Sequence, residues 1–132
     1  MTLFIDASAL VAVMREEPEA PELREALGGV AVRLTSGMAL WETVRAISRG
    51  DSDGPSAAMV EAERYRRAFD ITVVPIGAAE TVEAVLAHAR YGKGTGHPAR
   101  LNMGDCFAYA CAKTNGARLL YKGDDFIHTD LR

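Results

Sequence analysis

The stretch from Leu101 to Lys113, LNMGDCFAYACAK, limits what this chain can fold into more than any other. Its end signals are helical, with Asn102 a good N-cap and Asn115-Gly116 a stop. Yet Cys106, Phe107, Ala108, Tyr109, Ala110, Cys111 and Ala112 leave no polar stripe beyond one hydroxyl. A helix without a wet side must be packed around most of its circumference, so the rest of the chain has to enclose it. Its one acid, Asp105, falls at N3 counted from Asn102. There a carboxylate can reach back to free backbone N–H groups and sits at the positive end of the helix dipole. Such an acid is either a cap or, at the rim of a core, a metal ligand or catalytic group. The second role needs carboxylates from distant segments.

The enclosing elements alternate. Thr2-Leu-Phe-Ile-Asp6 is a short apolar run ending in an acid, and Asp6-Ala7-Ser8 opens a helix with Leu10, Val11 and Met14 on one face. A second helix, Pro18 to Leu27, stops at Gly28-Gly29. Val30 to Thr35 has the β-branched alternation of a strand, and Ser36 caps a helix running to about Ser48 with Leu40, Val44 and Ile47 inward. Glu42 lies opposite that stripe, so periodicity alone places it in solvent near Arg45 and Arg49. Asp51 to Pro55 is a turn and cap cluster, followed by a helix with Ala58, Ala62, Tyr65 and Phe69 on its apolar side. Ile71 to Ile76 reads as a short buried strand, and Ala79 to Tyr91 as a helix with Val82, Val85, Leu86 and Ala89 inward. Gly92 to Pro98 fits neither a Walker loop nor a dinucleotide fingerprint and reads as a flexible loop. Ala117 to Tyr121 is the last clear strand, running into Lys122-Gly-Asp-Asp-Phe126, and a short fifth strand could follow around Ile127 to Leu131. Strands alternating with helices imply a parallel sheet wrapped by helices.

Composition narrows the function. At 132 residues, 48% hydrophobic and 25% charged, the chain has the make-up of one domain with a proper core, here residues 1–132. No repeat, low-complexity tract or membrane-length apolar window is present, and the N-terminus lacks the basic start of a secretory leader, so a cytoplasmic protein is expected. Cys106 and Cys111 point in different directions on one helix, which disfavours a disulfide. Three scattered histidines and no paired cysteine spacing argue against structural zinc, so any metal is bound by oxygen. A net charge of −3 argues against a broad basic nucleic-acid surface. Two local basic clusters remain: Arg64, Arg66 and Arg67 on one helix, and Arg90, Lys93, His97 and Arg100 around the Gly-rich loop.

Asp6, Asp105 and the Asp124-Asp125 pair all lie at strand ends or a helix mouth, where open α/β sheets present their ligands. Hard carboxylate oxygens in this pattern suit Mg²⁺ or Mn²⁺. Without a cation the acids repel one another, and at least one should hold its proton unusually tightly.

On these residues the chain resembles the PIN domains, and within them the VapC toxins of bacterial toxin–antitoxin systems. The matching pieces are FIDASAL at 4–10, Glu42, YGKGTGHPARLNMGDCFAYACAK at 91–113 and LLYKGDDFIHTD at 119–130. One departure is Met103, where the family commonly has an aromatic, a change that alters packing only. The resemblance implies a three-layer α/β/α fold around a parallel sheet of four or five strands. It implies a Mg²⁺-dependent endoribonuclease, with Mn²⁺ able to substitute, in which Asp6 and Asp105 bind metal and Glu42 completes the acidic site. The fourth acid falls at Asp125 or, if the turn slips by a residue, at Asp124; Asp125 is favoured. Ser8 matches a hydroxyl that orients Asp6 or a metal-bound water. The implied substrate is structured RNA, most often tRNA, cleaved by metal-assisted hydrolysis to leave a 5′-phosphate; the basic loop with Arg90, Lys93 and Arg100 is the candidate for holding its backbone. The implied partners are a VapB-like antitoxin, packing near Leu10, Val11, Met14, Leu23 and Leu27, and a second copy of the chain in a homodimer. The competing class is a catalytically silent PIN-fold module that acts only through a protein partner; receiver domains and haloacid-dehalogenase-type phosphatases lack their acid patterns here.

Overall fold

The computed structural model describes residues 1–50 and 53–132. Its strands are β1 (Thr2–Ile5), β2 (Val32–Ser36), β3 (Ile71–Val74) and β4 (Arg118–Leu120). Its helices are α1 (Ala7–Met14), α2 (Ala20–Gly28), α3 (Gly37–Ser48), α4 (Gly54–Ala68), α5 (Ala78–Tyr91) and α6 (Met103–Thr114). All strand pairs are parallel, in the order β3-β2-β1-β4. The chain winds outward from β1 through β2 to β3, then crosses to place β4 on the other side of β1. That reversal makes the carboxyl ends of β1 and β4 a topological switch point, where ligands of open α/β sheets gather.

β1 is apolar on both faces because it has a layer on each side. Phe4 lies opposite Leu34 of β2 and Leu119 of β4, and these three join Ala84, Ala87 and Tyr91 of α5 and most of α6 in one core. Leu3 and Ile5 point the other way, into a second core with Leu10, Val13, Leu23, Leu27 and Ile71. The result is the expected three-layer α/β/α arrangement with four strands. Among the described residues no fifth strand follows β4: residues 124–131 are turns. They are fastened by Asp130, which accepts hydrogen bonds from the Tyr109 and Tyr91 hydroxyls and pairs with Lys113.

α6 is enclosed as its composition requires, with Gly104–Cys106 and Ala108–Ala112 buried. Its main neighbour is α5, and here the structure corrects the wheel reading. Ala84, Ala87 and Tyr91 are buried, whereas Val82, Val85 and Leu86 are each more than half exposed. Two alanine-rich faces let the helices approach closely, and the larger Val and Leu side chains are turned outward. Two other expectations are corrected. Leu10, Leu23 and Leu27 are ordinary core, and Val11 and Met14 are half-buried, so α1 and α2 carry no surplus apolar surface. β3 is an edge strand with Thr72 and Val73 exposed, not a buried one. Arg64 pairs with Glu61, and Arg66 and Arg67 pair with Glu63, as a solvated helix face does. Asp53 is the N-cap of α4, while the rest of the expected turn, Asp51-Ser52, lies outside the described residues. Among the described residues no helix is long and apolar enough to cross a membrane.

The reversed face of α5 is testable by urea unfolding. Ala87→Leu overfills the α5–α6 contact and should cost about 1–3 kcal/mol, while Val85→Ala should change stability by no more than about 0.5 kcal/mol. The opposite ranking would put the Val82–Leu86 stripe back in the core.

Candidate active site

Asp6 is the residue at which β1 ends and α1 begins. Its backbone N–H donates to the Leu120 carbonyl at 3.0 Å, which ties it to the end of β4. Its Oδ2 accepts two hydrogen bonds from Ser8, from the amide at 3.0 Å and from the hydroxyl at 2.6 Å. The Ser8 hydroxyl in turn accepts from the Lys122 N–H at 3.0 Å. Ser8 therefore holds Asp6 in one orientation and clips it to the segment after β4. Asp6 is an N-cap and a presented acid at once.

Asp105 is held by the reciprocal cap that the sequence anticipates. Its amide donates to Asn102 Oδ1 at 2.9 Å, and its Oδ2 accepts from the Asn102 amide at 3.1 Å. Glu42 departs from the wheel reading, being half-buried, not solvent-facing. The reason is tertiary: α3 also contacts α6, and the Glu42 carboxylate rests directly on Gly104, where any Cβ would overlap its oxygens. Asp125 and Asp124 follow in the turn after β4; both are exposed, and both line a cleft of about 340 Å³ with Asp105.

These groups share one field. Burial raises Asp6 above the ordinary carboxylate range, partly offset by the Ser8 hydrogen bonds, and Asp125 raises it further. Glu42 is pushed up to about 7, first by burial and then by Asp6, against a lowering pull from Arg45. Asp105 is also pushed up to about 7, by burial and then by Asp125, Asp6 and Glu42, although the Asn102 amide opposes this. Asp125, and not Asp124, is among the charges acting on Asp6 and Asp105. Among the described residues none of these four acids has an ion-pair partner.

The donor set fits a hard divalent cation: carboxylate oxygens, two sets of them on largely buried side chains, with raised proton affinity and no ion pair among the described residues. Among the described residues no three His, Cys, Asp or Glu side chains are grouped tightly enough to hold an ion as they stand. Like-charged carboxylates do not close on one another without a counter-ion, so a loose cluster is the arrangement this chemistry dictates for the protein alone.

The basic residues are distributed unevenly. Lys93 and Arg100 line the cleft of Asp105 and Asp125, with His128. Arg90 does not line that cleft; its guanidinium lies 4.7 Å over the Tyr91 ring. The Gly92–Pro98 segment is a fastened turn, not a free loop. The Lys93 N–H donates to the Leu101 carbonyl and the Leu101 N–H to the Tyr91 carbonyl, both at 2.9 Å, and Thr95 donates its hydroxyl to the Gly92 carbonyl at 2.6 Å. Sequence reasoning missed Arg45 and Arg49, which line a second cleft of about 330 Å³ with Ser8, Glu42 and Lys122. Their spacing from Glu42 was the available signal, read there as surface pairing. Lys122 is committed to Glu17 and Glu19, at 3.0 and 3.1 Å.

Comparison with known proteins gives the family and the fold. The PIN domain family profile matches residues 3–131. A VapC ribonuclease of Rhizobium meliloti (strain 1021) is 40% identical over 97% of this chain and 98% of its own length. Ribonuclease VapC30 of Mycobacterium tuberculosis (strain ATCC 25618 / H37Rv) is 39% identical over 98% of this chain and 95% of its own. Among solved structures, Mycobacterium tuberculosis VapC20, a sarcin–ricin loop cleaving toxin, superposes with a TM-score of 0.76 at 18% identity, covering 98% of this chain and 96% of that one.

The raised carboxyls make stability depend on pH. With Glu42 and Asp105 at about 7 in the folded protein and near about 4 unfolded, the folded state binds more protons between those values. Their contribution therefore falls as pH rises through that window and stays lost above it. In EDTA the melting temperature should drop between about pH 5 and pH 8, and Asp105→Asn, which keeps an acceptor for the Asn102 amide, should flatten the drop and melt above wild type at the upper end. A variant melting below wild type there would mean that the charge serves only as a helix cap.

Proposed function

The chain belongs to the PIN-domain family, and within it to the VapC ribonucleases, and on that premise we propose that it is a divalent-cation-dependent endoribonuclease, the toxin of a toxin–antitoxin pair. The observation that carries the reading is the meeting of Asp6, Glu42, Asp105 and Asp125, from four separate segments, in one field, with none of them in an ion pair among the described residues although Arg45 acts on Glu42.

In this reading Asp6 and Asp105 hold Mg²⁺, or Mn²⁺ in its place, and Glu42 and Asp125 complete the site. The cation, when bound, supplies a Lewis acid for the scissile phosphate and a more acidic water for in-line attack. Ser8 fixes the orientation of the Asp6 carboxylate, and the Asn102–Asp105 cap does the same for Asp105 at α6. The carboxylates orient the attacking water by accepting its hydrogens. No side chain is set up as a covalent nucleophile: burial pushes the Cys106 and Cys111 thiols up to about 11, so both are protonated near neutral pH. Hydrolysis then leaves a 5′-phosphate and a 3′-hydroxyl. Lys93 and Arg100 stand where the phosphate backbone enters the cleft, with Arg90 further out.

The substrate is structured RNA in the cytoplasm, with tRNA the first candidate; the sarcin–ricin loop target belongs to the VapC20 neighbour, whose likeness carries the fold alone. A VapB-like antitoxin restrains the enzyme and brings a basic side chain to the acids. One apolar surface open to it and to a second copy in a homodimer lies on α4 and α5, at Met59, Val60, Val82, Val85 and Leu86.

Purified protein should cleave total RNA with Mg²⁺ or Mn²⁺ and stop in EDTA; full activity in EDTA would sink the metal mechanism. Asp6→Asn and Asp105→Asn should each lower cleavage on the order of 10²–10⁴-fold, and Asp125→Asn should be the more damaging of the two changes in its turn. Mg²⁺ should raise the wild-type melting temperature and do so less in Asp6→Asn.

Phosphate contact is separable from folding. Lys93→Ala and Arg100→Ala should weaken RNA binding across sequences and each lower the salt slope by roughly one counterion, with melting unchanged. Unaltered affinity at both positions, measured by salt-titrated binding, would retire the contact.

A further inference from the structure

A third concavity borders the acids, between α3 and the start of α6. Met38, Trp41 and Met103 wall a groove of about 450 Å³, inside the roughly 300–1,000 Å³ of small-molecule sites. Trp41 is 62% exposed and Met103 70%. A solitary exposed apolar side chain is ordinary, but here the large ones face a common space. The same groove is lined by Glu42, by Asn102, which holds Asp105, and by Gly104, on which the Glu42 carboxylate rests. It is therefore continuous with the candidate active site.

Arg45 decides what chemistry the groove suits. Its guanidinium lies 5.6 Å over the Trp41 ring, and it lines both this groove and the neighbouring cleft of Glu42 and Arg49. A cation thus stands between an exposed indole, one face of which it covers, and the Glu42 carboxylate. A chain that places a flat ring on Trp41 and a negative linker over Arg45 satisfies both features, and a nucleotide is such a unit. A basic peptide segment heading for the acids would meet Arg45 with like charge.

We propose that this groove is a base-binding subsite: an unpaired nucleobase beside the scissile phosphate stacks on Trp41 between Met38 and Met103, with Arg45 on its phosphate. The assignment rests on the ribonuclease reading and adds to it a substrate requirement. A base stacked in a helix cannot enter the groove, so cleavage falls at unpaired nucleotides in loops or bulges.

Trp41 is the only tryptophan in the chain, so intrinsic fluorescence reports on this groove alone. In EDTA, a short single-stranded RNA of mixed sequence should quench and shift the emission of the wild-type protein, and an abasic strand of the same length should not. With Mg²⁺ or Mn²⁺ present, Trp41→Ala should lower kcat/KM for RNA by about 5- to 150-fold, the effect of one stacked base. Trp41→Phe should retain most activity, and both variants should melt as wild type does. Equal quenching by the abasic strand, or Trp41→Ala cleaving as wild type, overturns the proposal. So does a Trp41→Ala protein that cleaves RNA normally but loses its antitoxin, which would make the groove a protein-docking surface. Base-dependent quenching by a wild-type protein that cleaves no RNA with either metal would retain the subsite and remove the ribonuclease reading instead.

Discussion

Repulsion among buried carboxylates is the constraint on which the polar part of this fold depends. Asp6 and Asp105 are 5% and 8% exposed, and Glu42 is half-buried beside them. A structure that holds such groups without a paired cation must fasten each one separately, because they do not hold one another. Two are fastened by local hydrogen bonds, Asp6 by the Ser8 amide and hydroxyl and Asp105 by the Asn102 box, while Glu42 packs against the bare surface of Gly104. These devices are short-range, and the acids they hold border neighbouring clefts: Asp105 lines one with Asp125, and Glu42 lines two others.

The same devices serve the fold. The Asn102–Asp105 box starts the most enclosed helix of the molecule, so the acid that repels its neighbours also satisfies orphan amides at a helix end. Ser8 joins the first turn of α1 to the segment after β4, across the switch point of the sheet. Chemistry and architecture thus share atoms, and Asp105 and Ser8 cannot be judged as catalytic or structural from their local sequence alone.

Around the acids the surface divides by chemistry. Cations line two clefts, Lys93 and Arg100 on one side and Arg45 and Arg49 on the other, while an apolar groove with an open indole lies between α3 and α6. A negatively charged active site does not attract a polyanion by itself, so cationic rims are what bring a phosphate backbone near it. The overall charge of −3 conceals this arrangement, which is local.

What the sequence by itself determined is whatever depends on near neighbours in the chain. The buried nature of α6, its Asn102 cap, the placement of Asp105 at N3, the strand-to-helix junction at Asp6 and the parallel α/β order all follow from period, capping and β-branching. The tertiary structure alone decided matters set by a second packing partner. Glu42 reads as solvent-facing because a helical wheel knows one buried face, and only the approach of α6 through Gly104 gives α3 another. Val82, Val85 and Leu86 read as core because hydrophobicity ranks them above alanine, yet close contact with α6 selects the small face of α5. Arg45 meets Trp41 through ordinary i,i+4 spacing on α3, but only folding brings α6 beside them, so that Arg45 lines the groove walled by Met103. Local rules assign conformations one segment at a time; which faces meet depends on shape and distance between segments, and that information exists only in the folded chain.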